Sequence, residues 1–315
     1  MPRSRILQAG VSILLAAVAI LSFSSMRRAS AQPPPVDSGA ILRATRASPS
    51  DLEVGGEIPG LPPGTVRYIT REDLLALPQV SYTVSTDPNF KRLGPTRVSG
   101  VALEELAKRF AAPDATLVVA ICDDEYAANY SQDYRAAHRP LLVLAINGKG
   151  PAEWPKDEGS DMGPYLISQP NFTPRFKVLS HVEEAQIPWG VVRIDFRNEK
   201  QVFGAIAPRG PHANDPEVRD GYRIAKENCF RCHNQGDEGG HKASVTWTVI
   251  SAIATSSSDF FKAYVRDPKS KSPQAQMPGN PEYDDATLHA LDAYFRTFAP
   301  PSGAAADGAK RGARQ

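Results

Sequence analysis

Three cysteines in 315 residues are too few for a disulfide scaffold to hold a chain of this length. An excess of charge of one sign is also missing: 36 lysines and arginines stand against 35 aspartates and glutamates, a formal charge of +1. That balance excludes a strongly basic nucleic-acid binder on bulk charge. The apolar run from Val11 to Phe23 falls short of the about 20 residues that a membrane-spanning helix needs. What is present is ordinary for a packed protein. Hydrophobic residues make up 41% and charged residues 23%, which excludes wholesale disorder. Proline is abundant, 28 of 315 residues, against a usual share of about 5%. Long connections and modest helix content are expected, and the length suggests about two domains.

Residues 1–31 read as a signal peptide. Arg3 and Arg5 give a positive start, Val11 to Phe23 an apolar core, and Ala29-Ser30-Ala31 a small-residue cleavage pattern. Cleavage there removes four arginines and no acid, leaving the mature chain slightly acidic. The expected location is outside the cytoplasm, in a bacterial periplasm. Membrane attachment follows only if the segment stays uncleaved.

Residues 32–63, rich in Pro, Gly, Ser and Ala, read as a flexible leader. Structured patterns begin after it. Val66 to Ile69 suits a short strand. Thr70 caps a helical turn from Arg71 to Leu77, with Glu72 and Asp73 in its first turn. Val80 to Ser85, Thr116 to Ile121, Pro140 to Ile146 and Val191 to Phe196 suit strands. Val101 to Phe110 places Leu103, Leu106 and Phe110 on one helical face. These define an α+β or β-rich domain over 64–198. Residues 199–213 read as a linker, 214–299 as an all-α domain, and 300–315 as a disordered tail. In the helical region Asp215 and Pro216 open a helix to residue 228. Ser258 opens a second, and Asp284 or Asp285 a third striped with Leu288, Leu291, Phe295 and Phe298.

Cys229-Phe230-Arg231-Cys232-His233 is the strongest signal. C-x-x-C-H is the attachment sequence of c-type haem. The two thiols add to the porphyrin vinyl groups, and the adjacent histidine is held beneath the iron. A redox C-x-x-C would follow a strand, whereas a helix precedes this one. A zinc site would need further thiols or histidines at metal spacing, and no second C-x-x-C exists. Met277, followed by Pro278-Gly279, sits on a loop able to supply the second axial ligand. His241 is its rival. His289 falls within the last helix and His212 in the linker.

Residues 214–299 resemble the small class I cytochromes c. The resemblance rests on Gly221 eight residues before Cys229, on C-x-x-C-H, on Tyr264 to Lys269, on Gln276-Met277-Pro278, and on Ala293-Tyr294-Phe295 in the last helix. It implies three helices around one haem, with Gly221 crossing near Tyr294. One departure stands out. The family has a proline about a dozen residues after the proximal histidine, whose carbonyl orients that ring. Here Gly239 to Ser244 contains none, so the acceptor for His233 is left open.

Residues 64–198 look like a divergent form of the molybdopterin-binding fold of the sulfite-oxidase superfamily. The carrying residues are Ile69 to Pro78, Val98 to Leu106, strand 116–121 with Asp123, Asp124 and Tyr126, and Ile187 to Val191. Enzymes of that superfamily bind molybdenum through a cysteine that would fall near Ser81 to Asn89, where this chain has none. Cys122 lies one strand later and reads as a small strand-end residue, so molybdopterin is not expected. His138 and His181 read as structural or surface residues. Arg175 and Trp189 could line a pocket of unspecified ligand.

The sequence thus predicts a multidomain periplasmic electron carrier. It would hold one covalent haem through Cys229 and Cys232, with His233 and Met277 on the iron and no catalytic residue of its own. The N-terminal domain would dock a periplasmic redox partner, a dehydrogenase or oxidase. The alternatives are a molybdenum-dependent oxidoreductase passing substrate electrons to its own haem, or a haem redox sensor.

Overall fold

A computed structural model describes residues 41–157 and 159–299. The expected signal peptide, the first part of the leader and the tail at 300–315 lie outside the described residues.

A nine-stranded mixed sheet organises residues 52–197. Its strands run in the order Arg67–Ile69, Leu52–Gly56, Trp189–Arg197, Tyr165–Ser168, Leu141–Ile146, Thr96–Ala102 and Val80–Val84. Leu117–Cys122 and Ala127–Tyr130 branch from Trp189–Arg197. Only the pair Leu52–Gly56 and Trp189–Arg197 is parallel; the other pairs are antiparallel. The expected strands and helices of this region all form, with boundaries shifted by a residue or two. The helix expected from Val101 starts at Leu103, because Thr96–Ala102 runs as a strand directly into it. Gly100 permits this: a Cβ there would lie 1.9 Å from the Leu142 carbonyl oxygen of the neighbouring strand. Thr70 caps helix Arg71–Ala76, its side chain accepting from the Asp73 amide.

Two expectations are corrected. The leader over 32–63 is not flexible throughout, since Leu52–Gly56 is a sheet strand with Leu52 and Val54 buried. One of its partners, Trp189–Arg197, is distant in sequence, so the local pattern did not reveal it. Nor is 199–213 simply a linker. Asn198 caps helix Glu199–Gly204, and Val202 and Ile206 are buried among the C-terminal helices. The Tyr294 hydroxyl donates to the Ile206 carbonyl at 2.6 Å.

The C-terminal region is helical: Pro216–Glu227, Trp247–Ser256, Ser258–Arg266, the short Pro268–Lys271 and Asp285–Arg296. Trp247–Ser256 was not expected; its apolar residues alternate with Thr248, Ser251, Thr255 and Ser256 and give no clear stripe to read. The first and last long helices cross at Gly221, where a Cβ would meet the Ala290 carbonyl oxygen at 2.0 Å and Tyr294 Cβ at 2.7 Å. Side chains on one face of Leu117–Cys122, Val118 and Ala120, enter the core of the sheet region. Those on the other face, Leu117 and Val119, join the core of the C-terminal helices. The alternation of a strand therefore feeds two cores from one segment.

Candidate functional site

Helix Pro216–Glu227 delivers the C-x-x-C-H segment. Asn228 ends it, its amide donating to the Ile224 carbonyl at 2.8 Å. A 3₁₀ turn, Cys229–Arg231, follows at once. The Cys232 and His233 amides both donate back to the Cys229 carbonyl, at 3.2 and 3.0 Å, so the chain wraps tightly on itself. Phe230 is fully buried, edge-on to Trp247 with centroids 5.5 Å apart. That anchor leaves Cys229 and Cys232 half-buried as free thiols. Gly240 clasps the turn, its amide donating to the Phe230 carbonyl at 3.0 Å. A Cβ on Gly240 would fall 1.8 Å from the Arg231 carbonyl oxygen, so only glycine fits against the motif.

His233 Nδ1 lies 2.6 Å from the carbonyl oxygen of Val245. A carbonyl has no proton to give, so Nδ1 is the donor and the tautomer is set, with the Nε2 lone pair free. The acceptor that the missing proline left open is thus the backbone of Val245, an atom that no side-chain pattern could announce. Burial holds the imidazole's pKa below its ordinary value. Burial likewise pushes the Cys229 thiol up to about 12 and raises Cys232. Among the described residues no group of three or more His, Cys, Asp or Glu is arranged to hold a metal ion.

Met277 is half-buried against the aromatic core that contains Phe230, Trp247 and Phe295. Its loop is tied to the motif by a polar contact that sequence reasoning missed. The Asn228 side-chain amide donates to Asn280 Oδ1 at 3.0 Å and to the Tyr283 hydroxyl at 2.7 Å. Asn280 in turn donates to the Val265 carbonyl at 3.0 Å. The residue before Cys229 therefore sets the path of the loop after Met277. Polar residues flanking both motifs are the only hint of this in the sequence. The rival ligand His241 is exposed, as are His289 and His212.

The motif also rests on the sheet region. Arg231, between the two cysteines, is buried. Its guanidinium pairs with Glu184, donates to Asn228 Oδ1 at 2.9 Å and stands over the Tyr126 ring at 5.9 Å. Lys242 pairs with Asp124, and the His241 amide donates to the Glu125 carbonyl at 3.0 Å. Cys122, at the end of its strand opposite Val191, is 4% exposed. Burial, then Asp124 and Asp123, push its thiol well up. His138 and His181 are structural, each buried against a glutamate, Glu183 and Glu227. Trp189 is half-buried and Arg175 exposed.

The donor set fits a covalent haem: two free thiols on one turn, an imidazole with its Nε2 lone pair free, and a thioether against the same apolar cluster. No family model matches the chain. None of the curated proteins matches it either. Among solved structures, the sulfane dehydrogenase SoxCD from Paracoccus pantotrophus is similar in part, with 14% identity and a TM-score of 0.33. The likeness covers 54% of this chain and 45% of that one, so the chain spans under half the length of that structure.

Proposed function

We propose that this chain is a c-type cytochrome that carries single electrons in the periplasm. Cys229 and Cys232 would hold one haem through thioether bonds, and His233 and Met277 would be its axial ligands. When bound, the haem supplies reversible one-electron chemistry at its iron. The observation that carries the reading is the Nδ1–Val245 contact at 2.6 Å. It fixes the ring and its tautomer so that only Nε2 is left to ligate, the usual supporting contact of a metal-bound histidine. The remaining work falls to the chain's own residues. Asn228 holds the Met277 loop against the motif. Phe230, Trp247 and Phe295 exclude water from beneath it. Buried Arg231, paired with Glu184 and bonded to Asn228, holds the turn between the two cysteines in place. The sheet region would dock a redox partner, a dehydrogenase or oxidase.

The test is an anaerobic redox titration with absorption spectra on protein purified from its native periplasm. His–Met ligation is expected, and Met277→Ala should abolish its signature. A bis-histidine or high-spin spectrum, or a spectrum unchanged in Met277→Ala, would overturn the ligand assignment.

A second reading is a molybdenum-dependent oxidoreductase feeding its own haem. One observation favours it: the turn after Cys122 touches the motif through Tyr126–Arg231, and the segment after the motif through Asp124–Lys242. A centre held there would stand beside the haem. Against it, Cys122 is 4% exposed within the core of the sheet region, and no cysteine falls at Ser81 to Asn89, where the superfamily's molybdenum-binding cysteine would lie. Stoichiometric molybdenum in the native protein would decide for this second reading.

A further inference from the structure

Two buried side chains from distant parts of the chain meet beside the C-x-x-C-H turn. His181 belongs to a small antiparallel hairpin, Lys177–Val178 with His181–Val182. Tyr283 ends the loop that carries Met277, just before helix Asp285–Arg296. The Tyr283 hydroxyl lies 2.9 Å from His181 Nδ1, and His181 Nε2 lies 3.3 Å from Glu227 Oε2. The hairpin grips the same stretch through its turn. The Ser180 amide donates to Thr287 Oγ1 at 3.0 Å, and the Asp284 amide donates to Ser180 Oγ at 3.0 Å.

The direction of each hydrogen bond here is set. A guanidinium only donates, so Asn228 Oδ1, 2.9 Å from Arg231, is the acceptor and Asn228 Nδ2 the donor. Nδ2 gives its two protons to the Tyr283 oxygen at 2.7 Å and to Asn280 Oδ1 at 3.0 Å. The single Tyr283 proton then goes to His181 Nδ1; any other arrangement leaves that buried proton without an acceptor. The neutral ring carries its own proton on Nε2 and donates it to Glu227. The other Glu227 oxygen accepts from the Glu184 amide, and the Glu184 carboxylate pairs with Arg231. Arg231, Asn228, Tyr283, His181, Glu227 and Glu184 close a ring.

We propose that His181, beyond its place in the core, is a positioning residue for the haem iron. By taking the Tyr283 proton it leaves the Tyr283 oxygen to accept from Asn228, which holds the Met277 loop closed. His181 has this role only if Met277 is an axial ligand, as proposed above. It lies outside residues 214–299, so control over the axial ligand comes from beyond the helices that surround the motif.

The experiment is titration of the oxidised full-length haem protein with imidazole, which competes with Met277 for the iron. The sulfur–iron absorption band and the midpoint potential are the readouts. Wild type is expected to show the band. His181→Leu should bind imidazole about tenfold more tightly. Its midpoint potential should fall, because thioether ligation raises it. Tyr283→Phe should behave alike. His181→Gln keeps one acceptor and one donor and should stay within about twofold of wild type. A merely structural His181 would lower the melting temperature and leave imidazole affinity and potential unmoved. Unchanged affinity in either His181→Leu or Tyr283→Phe, or an equal change in His181→Leu and His181→Gln, overturns the proposal. If His181→Leu does not fold, Tyr283→Phe decides. A wild type without the sulfur–iron band overturns the Met277 assignment itself, a result distinct from the others.

Discussion

Glu227 closes on His181: its Oε2 lies 3.3 Å from His181 Nε2, while His181 Nδ1 lies 2.9 Å from the Tyr283 hydroxyl. His181 is 1% exposed. The other Glu227 oxygen accepts from the Glu184 amide at 2.7 Å. One carboxylate, two residues before Cys229, thus ties the strand pair Lys177–Val178 and His181–Val182 to the foot of the C-x-x-C-H turn. Glu227→Ala strips two buried donors of their acceptor and should cost about 2–4 kcal/mol, read from the denaturant midpoint. Glu227→Gln keeps one acceptor oxygen and should recover about half of that loss.

Gly221→Ala tests the helix crossing. A Cβ 2.0 Å from the Ala290 carbonyl oxygen cannot be accommodated without separating the two helices. Overpacking of this kind typically costs about 1–3 kcal/mol, more where backbone must move. The thermal midpoint should fall even though alanine is the better helix former.

Ile206→Ala addresses the segment expected to be a linker. A true linker side chain would be replaceable at no cost. Ile206 is fully buried in the C-terminal core, so truncation should destabilise by about 2–5 kcal/mol in equilibrium unfolding.

Asp87 carries a pH signature. It is 7% exposed, accepting from the Ser168 hydroxyl at 2.7 Å and the Asn89 amide at 3.0 Å. Burial raises its pKa above 3.8. The folded state therefore holds the proton more tightly than the unfolded one. Asp87 then contributes stability below its ordinary pKa, and that contribution is lost as pH rises through the folded value. Asp87→Asn should flatten this loss above about pH 4, measured as the denaturant midpoint against pH.

Legibility in the sequence followed range. C-x-x-C-H needs five adjacent residues, and the stripe of Leu288, Leu291 and Phe295 needs two turns of helix, so both could be read directly. Strand Leu52–Gly56 could not, because its meaning lies in pairing with Arg193 to Phe196 far along the chain. His138 and His181 looked isolated for the same reason: Glu183 and Glu227, their partners, arrive from other elements. The contact that defines His233 ends on a backbone carbonyl, which every residue owns. Helix Glu199–Gly204 is too short for a periodic signal, and its buried Val202 and the buried Ile206 after it resemble any Pro/Gly-rich connection when read alone.

Strand Leu117–Cys122 has no solvent face. Cutting the chain at residue 213 to isolate the helices would bare Leu117 and Val119 on one piece and their apolar counterparts on the other. Each fragment would then carry a sticky wall suited to self-association rather than to life as an independent module. Calorimetry of the intact chain should accordingly show one melting peak, not two, since neither half can lose its order without uncovering the other.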